Sequence, residues 1–420
     1  MVFQLPETNS RKFPALRLTG ARVARNAQNA ARADIEIDGG RIRKLLPSSL
    51  AEDRAHQNGN KWTSLQVDLK GYTILPGLIN AHDHLEFNLF PRLGSGSYPN
   101  YAEWARNAYF PERSPLREHL AVPKPVRLWW GGLKNLLCGV TTVCHHDPYE
   151  AEVFGNGFPV RVVERYGWAH SLQFHNDVAA AFRSTPPRAP FIIHLAEGTD
   201  EESQNEIFTL DRLGALGRQT VIVHGVGLTD GGRALLDERG ASVVWCPTSN
   251  LFALGATLDG RWVSARRSVA LGNDSALTGF GDLLDEIQAA YKAGGVSTDR
   301  MYSLVTSSAA TVLGLGGGEG FIHPGARADL IAISSPEHAP AATLLASNLS
   351  KVELVMVSGK PRAVSPEMAE RWPRKLLQGF EPIEIGGVVR LVDAPVKRLY
   401  QEARKRLRGE IRLAGKRVEV

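Results

Sequence analysis

The chain has 420 residues, enough for an eight-stranded α/β barrel of roughly 250 residues together with a smaller domain. Hydrophobic residues make up 43% and charged residues 22%, a globular balance that excludes a disordered chain. The formal net charge of +5 is modest, and no stretch reaches the ~18 uninterrupted apolar residues of a membrane span.

The N-terminal MVFQLPETNSRKFPALRL has no apolar run of signal-peptide length. Residues 15–48 read as short strands, with Asp38, Gly39 and Gly40 forming a hairpin turn between two alternating runs. A polar stretch, roughly 47–65, reads as a loop. From about 74 to 315, short β-branched runs (GVTTVCHH, PVRVVERYGWAHSL, PFIIHLAEG, QTVIVHGVGL, ASVVWCPTSN, SVALGNDSAL) alternate with helical patterns such as EESQNEIFTLDRLGALG. This rhythm predicts parallel strands covered by helices. After about 320 strand signals return, with a turn at Ser358, Gly359 and Lys360, followed by an amphipathic helix in DAPVKRLYQEARKRL. The predicted architecture is an α/β fold: a (β/α)8 TIM-like barrel over 73–319 and a small β-sandwich domain built from 1–72 and 320–420, the latter carrying the C-terminal helix.

The last 25 residues hold nine Lys or Arg against three Glu. A nucleic-acid patch would need such a cluster. A solvated helix face accounts for it equally well and is the reading adopted. Cys138, Cys144 and Cys246 are too few for a disulfide framework and read as buried thiols in a reducing compartment, so the expected location is cytoplasmic.

The polar residues that end the apolar runs carry the chemistry. In a barrel, function gathers at the C-terminal ends of strands. His82 and His84 follow TILPGLINA, and a spacing of two puts both imidazoles on one face of an extended segment. His194 ends FIIH, His224 ends VIVH and Asp274 ends VALGND. Burying so many polar groups in one mouth is costly unless they pair or ligate an ion. Three imidazoles and a carboxylate (His82, His84, His194 and Asp274) suit a single divalent metal ion: Zn²⁺, with Fe²⁺ or Mn²⁺ also compatible. Such an ion lowers the pKa of its water toward ~7. Glu197, three residues after His194, can face the same mouth without ligating, as a proton shuttle must. No lysine occurs between Lys134 and Lys292, which excludes a carboxylated-lysine bridge between two metals and favours one ion.

With PGLINAHDHL, HLAE, VHGVGL, WCPTSNLFALG, LGNDSAL and HPGARADLIAI in this order, nearly the whole chain resembles the amidohydrolase superfamily. The likeness is to its mononuclear deaminase and chlorohydrolase branch, which includes guanine, cytosine and adenosylhomocysteine deaminases and triazine hydrolases. That resemblance implies His82, His84, His194 and Asp274 as metal ligands and Glu197 as acid/base. It implies His224 as the group orienting water or substrate, with a role as a distant ligand left open, and Asp274 as the acceptor of the attacking water's proton. Asn250 would shape the pocket. The expected reaction is hydrolytic deamination of an amino-substituted heterocycle. The alternatives are hydrolysis of a cyclic amide, a formimino group or a carbon–halogen bond at the same site, and a catalytically silent barrel used for binding or assembly.

One region departs from the family pattern. Taking TTVCHHD as the end of strand three leaves only residues 148–193 before HLAE, which puts substrate contacts of a fourth βα unit in doubt. His145 and His146 are candidate substrate contacts there. The segment HLEFNLFPRLGSGSYPNYAEWARNAYF suits a long loop over the mouth, where Arg92 and Trp104 could meet a small flat substrate. The same composition also fits a loop packed against a second copy of the chain in a homodimer.

Overall fold

The computed structural model describes residues 13–47, 64–155, 157–334 and 338–420. The expected loop over 47–65 therefore lies almost wholly outside the described residues. Strands from both chain ends form one mixed sheet of 13 strands among the described residues. The predicted hairpin is present: Ala30–Asp38 and Arg41–Pro47 pair antiparallel, and Gly39 and Gly40 turn the chain with φ of 55° and 77°. The two halves meet where Tyr72–Pro76 pairs antiparallel with Leu330–Ser334. Alternate residues of these strands, among them Leu18, Ile35, Ile74, Leu330 and Met356, bury a core of their own.

The middle of the chain supplies eight parallel strands in two arcs: β1 (Leu78–Asp83), β2 (Val140–His145), β3 (Arg161–Val162), β4 (Gly167–Ala169), β5 (Phe191–Leu195), β6 (Thr220–His224), β7 (Ser242–Trp245) and β8 (Val269–Leu271). The first three pair in order, as do the last five. The outer edge of β8 meets β1 where Asn273 and Asp274 donate their backbone N–H groups to the His82 carbonyl, at 3.0 and 3.1 Å. Every residue of β1, β2, β5 and β6 is buried, which explains their continuous apolar runs.

TTVCHH thus belongs to the second parallel strand rather than the third. The third and fourth strands both lie within PVRVVERYGWAHSL. They are only two and three residues long, separated by the polar residues Glu164 and Arg165, so the run gives no clean strand signal.

Helices follow the strands. The ones that position the site are α1 (Tyr101–Ala108), α2 (Lys124–Leu137), α3 (Glu201–Arg212), α4 (Asp230–Arg239), α5 (Pro247–Leu254) and α6 (Leu283–Ala293). Their starts are chemically fixed. The Asp200 side chain accepts from Ser203 N at α3 and Thr229 from Gly232 N at α4, while Asp282 and Asp285 form a capping box at α6.

The predicted C-terminal helix is α7 (Val396–Arg404), but the basic tail does not end as a helix. It continues as a strand pair, Arg412–Leu413 with Lys416–Glu419. Its turn residue Ala414 donates its N–H to the Asn88 carbonyl at 2.9 Å, and Lys416 bonds Asp282 and Asp285 at the start of α6. No helix among the described residues is long and apolar enough to cross a membrane. All three cysteines are free and buried.

Candidate metal centre and catalytic cavity

The ends of β1, β5, β6 and β8 converge. In register, His194 lies opposite Val223 and Leu195 opposite His224, so the two histidines leave adjacent strands one step apart. The chain bends sharply beyond these ends. Ala196, His224 and Asp274 are non-glycine residues with φ of 53°, 76° and 56°. Side chains rarely hold this conformation, which costs about 1–3 kcal/mol per residue and persists where surrounding structure enforces it. Here the bends turn functional groups inward. The bend at Ala196 is fastened by its N–H donating to Glu206 Oε2 at 2.6 Å, and it aims Glu197 at the cavity.

The structure brings together the residues expected at the metal. His194 Nε2 lies 3.3 Å from His84 Nε2 and 3.3 Å from His82 Nε2. Asp274 Oδ1 lies 3.5 Å from His82 Nε2 and 3.8 Å from His84 Nε2. The other oxygen of Asp274 accepts from Ser249 Oγ at 2.5 Å and Thr278 Oγ1 at 3.1 Å, while Oδ1, which also accepts the Ser275 N–H at 2.7 Å, faces the histidines. Two overlapping sets of three buried donors, His82, His84 and Asp274 and again His82, His194 and His224, each gather their ligand atoms within 4.8 Å and fit a divalent cation.

Burial keeps His82 neutral, its pKa lowered to about 4 against the pull of Asp274, and burial with the neighbouring histidines holds His194 well below the usual range. For Asp274, loss of hydration favours the neutral acid, but His82, His224 and His84 outweigh it and hold the carboxylate ionised. His84 differs. Burial works against its charge, but Asp147 and Asp274 lift it to about 9. Its Nδ1 lies 3.1 Å from Asp147 Oδ2, the kind of carboxylate contact that orients a ligating imidazole.

Beside this cluster sit the two other expected groups. Glu197 Oε2 is 3.5 Å from His224 Nε2. Burial, with Asp274 and Glu206 nearby, pushes the Glu197 carboxyl well above the ordinary range, while burial lowers His224. His224 Nδ1 lies 2.7 Å from the Asn250 side-chain oxygen, which can only accept. His224 therefore carries its proton on Nδ1 and presents a bare Nε2 to Glu197. Asn250 holds a tautomer and stays buried behind the imidazole, where Thr257 accepts its amide N–H.

These groups line a cavity of about 360 Å³. Trp104 lines it, its indole N–H fixed on the Leu93 carbonyl at 3.1 Å. Three candidate contacts are placed elsewhere. Arg92 leaves the cavity wall for a neighbouring hollow and lays its guanidinium 4.2 Å over the Phe252 ring, a cation–π contact that the loop composition did not reveal. His145 is fully buried, its Nδ1 accepting from Leu85 N and its ring against Phe154. His146 is also buried, stacked 4.0 Å behind His194 and bonded to the Ala169 carbonyl. Both imidazoles are taken up by packing, and Asp147, two residues beyond the end of β2, is the residue that reaches the cavity. Asp147, Tyr101, Tyr109, His170 and Phe174 line it as well. Asp147 and His170 stand out in the sequence as polar groups at the ends of apolar runs, and the structure places them just beyond β2 and β4; Tyr101, Tyr109 and Phe174 sit on a helix and in loops with no periodic signal.

The close approach of β8 to β1 depends on Gly272. A Cβ there would stand 2.7 Å from His82 Cβ and 2.8 Å from Val244 Cγ1. Gly272→Ala is expected to push His82 out of line and weaken metal binding by about 10–100-fold, the loss typical of disturbed ligand support. Competition against a chelating dye measures this, and unchanged affinity would refute it.

The sequence profile of the amidohydrolase family matches residues 162–362. Over that stretch, just under half of the chain, the sequence is that of an amidohydrolase. It is similar to 5-methylthioadenosine/S-adenosylhomocysteine deaminase of Syntrophobacter fumaroxidans, with 26% identity over 332 residues, covering 64% of this chain and 73% of the relative. Among solved structures it superposes on an adenosine deaminase from Xanthomonas campestris with bound zinc (TM-score 0.69, 20% identity, 93% of this chain and 97% of the other). It also superposes on triazine hydrolase from Arthobacter aurescens (TM-score 0.67, 16% identity, 94% and 100%). At these identities the superpositions speak to the fold of this amidohydrolase.

Proposed function

We propose that this amidohydrolase removes an exocyclic amino group from a heteroaromatic ring by hydrolysis, with one divalent ion, Zn²⁺, held by His82, His84, His194 and Asp274. When bound, the ion supplies a Lewis acid and an activated water. The observation that carries the reading is Glu197: a buried carboxyl that burial pushes toward its acid form, 3.5 Å from His224 beside the ligand cluster. Pairs of titratable groups with opposed environments mark acid and base. Asp274, held ionised, accepts a proton from the attacking water. Glu197 gives its proton to the ring nitrogen beside the attacked carbon. The bare Nε2 of His224 accepts a hydrogen bond and so orients the attacking oxygen or Glu197. The proton held on Asp274 then reaches the amino group, the carbon–nitrogen bond breaks and ammonia leaves, while the hydroxyl added to the carbon returns its proton to Glu197 as the ring carbonyl forms. The deaminase name of the relative above supports the same chemistry.

This reading takes the two arcs as the wall of one (β/α)8 barrel and the chain-end strands as a β-sandwich; the hydrogen bonds from β8 to His82 support closure. Three buried thiols suit a cytoplasmic enzyme. Zinc-loaded protein screened against aminopurines, aminopyrimidines and aminotriazines is expected to release one ammonia per turnover with one ion bound per chain. Metal-loaded protein that binds such a ring but releases another product would overturn the deamination.

A further inference from the structure

Four carboxyl groups, those of Glu86, Asp147, Glu197 and Asp274, line the cavity, and among the described residues no lysine or arginine does. The ammonium of Lys124 lies behind Glu86 at 3.3 Å and is shared with Glu150 at 2.6 Å. Of the imidazoles in the lining, His84 and His194 turn to the ligand cluster, and the far nitrogen of His84 is already taken by Asp147 at 3.1 Å. A bound divalent ion would be balanced by Asp274 and by the hydroxide that its water becomes. The outer cavity is then left with Glu86, Asp147 and aromatic rings.

The rings are set for a flat neutral body. Tyr101 and Trp104 have their polar tips engaged, Tyr101 donating to Ser171 Oγ at 2.9 Å and Trp104 to Leu93, so each offers a ring face to the cavity. Phe174 stands at the rim, 52% exposed, edge-on to Tyr101 at 5.5 Å between ring centres. An exposed phenyl ring at a cavity mouth covers apolar surface on whatever enters. An anionic group on the substrate would meet carboxylates in this low-dielectric space with no cation to pair it.

Resting on the deaminase reading, we infer that the substrate is a neutral or cationic amino-heterocycle with an apolar substituent, and that the cavity rejects rings bearing phosphate or carboxylate. The relative's printed name spans both kinds of substituent, a neutral thioether and an amino acid with a free carboxylate. This chain takes the first kind.

The test uses matched pairs: adenosine against adenosine 5′-phosphate, methylthioadenosine against its 5′-carboxylate counterpart, and a neutral aminotriazine against a carboxylated one. For each pair, kcat/KM for ammonia release is measured on the zinc-loaded enzyme, and Kd by calorimetry on zinc-loaded Glu197→Gln. The neutral member is expected to win by at least about tenfold in both measurements, the scale set by like-charge juxtaposition. Glu86→Lys is expected to narrow that ratio by about fivefold or more. Selective binding of neutral rings without ammonia from any of them would sink the deaminase reading and leave this inference standing. Equal or tighter binding of the anionic members, or binding of none of the panel, overturns it.

Discussion

Glu197→Gln is expected to lower kcat by about 10²–10⁴-fold while leaving bound metal unchanged, the span that a positioned general acid or base contributes. Glutamine keeps the shape of the side chain and can still donate a hydrogen bond toward His224, 3.5 Å from the present carboxyl oxygen. It cannot give up a proton. The wild-type group is suited to that task by its surroundings: burial favours its neutral form, and Asp274 and Glu206 add like charge. The potential ligand atoms belong to His82, His84, Asp274, His194 and His224, so the variant should retain its ion. Ammonia release and metal content on the same preparation decide the matter. Near wild-type turnover would remove Glu197 from the chemistry, and loss of metal would recast it as a ligand.

The fold and the centre of the site were legible in the sequence for one reason: both rest on periodic, short-range signals. β5 and β6 are apolar on both faces and end in histidine, so FIIH and VIVH announce their strand type and their functional end together. The HxH pair and the Asp–Gly–Gly hairpin are local in the same way. What escaped depends on long-range geometry. β3 and β4, at two and three residues, are strands because neighbours pair with them; their own pattern is weak. That is why the strand bearing His145 was counted one place too late. Arg92 was misplaced because composition says that a loop lies near the mouth and nothing about which side a guanidinium takes. The positive φ at Ala196, His224 and Asp274 was likewise invisible, since none is the glycine that normally signals such a bend. Local rules fail here at the site itself, where function overrides them.

The same logic applies to Lys134, the one buried lysine among the described residues, which the sequence marks only as the last before a gap. Lys134, on α2, is 3% exposed and reaches the centre of the fold. Its Nζ lies 2.8 Å from Asp83 Oδ2 and donates to Asn273 Oδ1 at 2.6 Å. Asp83 sits between His82 and His84, and Asn273 directly precedes Asp274, so one ammonium holds both segments that carry ligands. Asp83 is fully buried and also accepts from Asn80, Asn88 and Asn135. Lys134→Met is expected to destabilise the protein by about 3–5 kcal/mol, because the carboxylate would remain buried without its counter-charge. The surrounding amides soften the loss and leave the net charge uncompensated. Adding Asp83→Asn removes that charge and should recover a substantial part of the stability, a coupling that a double-mutant cycle in denaturant reads directly. A Lys134→Met midpoint equal to wild type would show that the three asparagines suffice. The single variant should also bind metal more weakly, since the buried ammonium fixes the backbone on either side of the ion while touching none of its ligands.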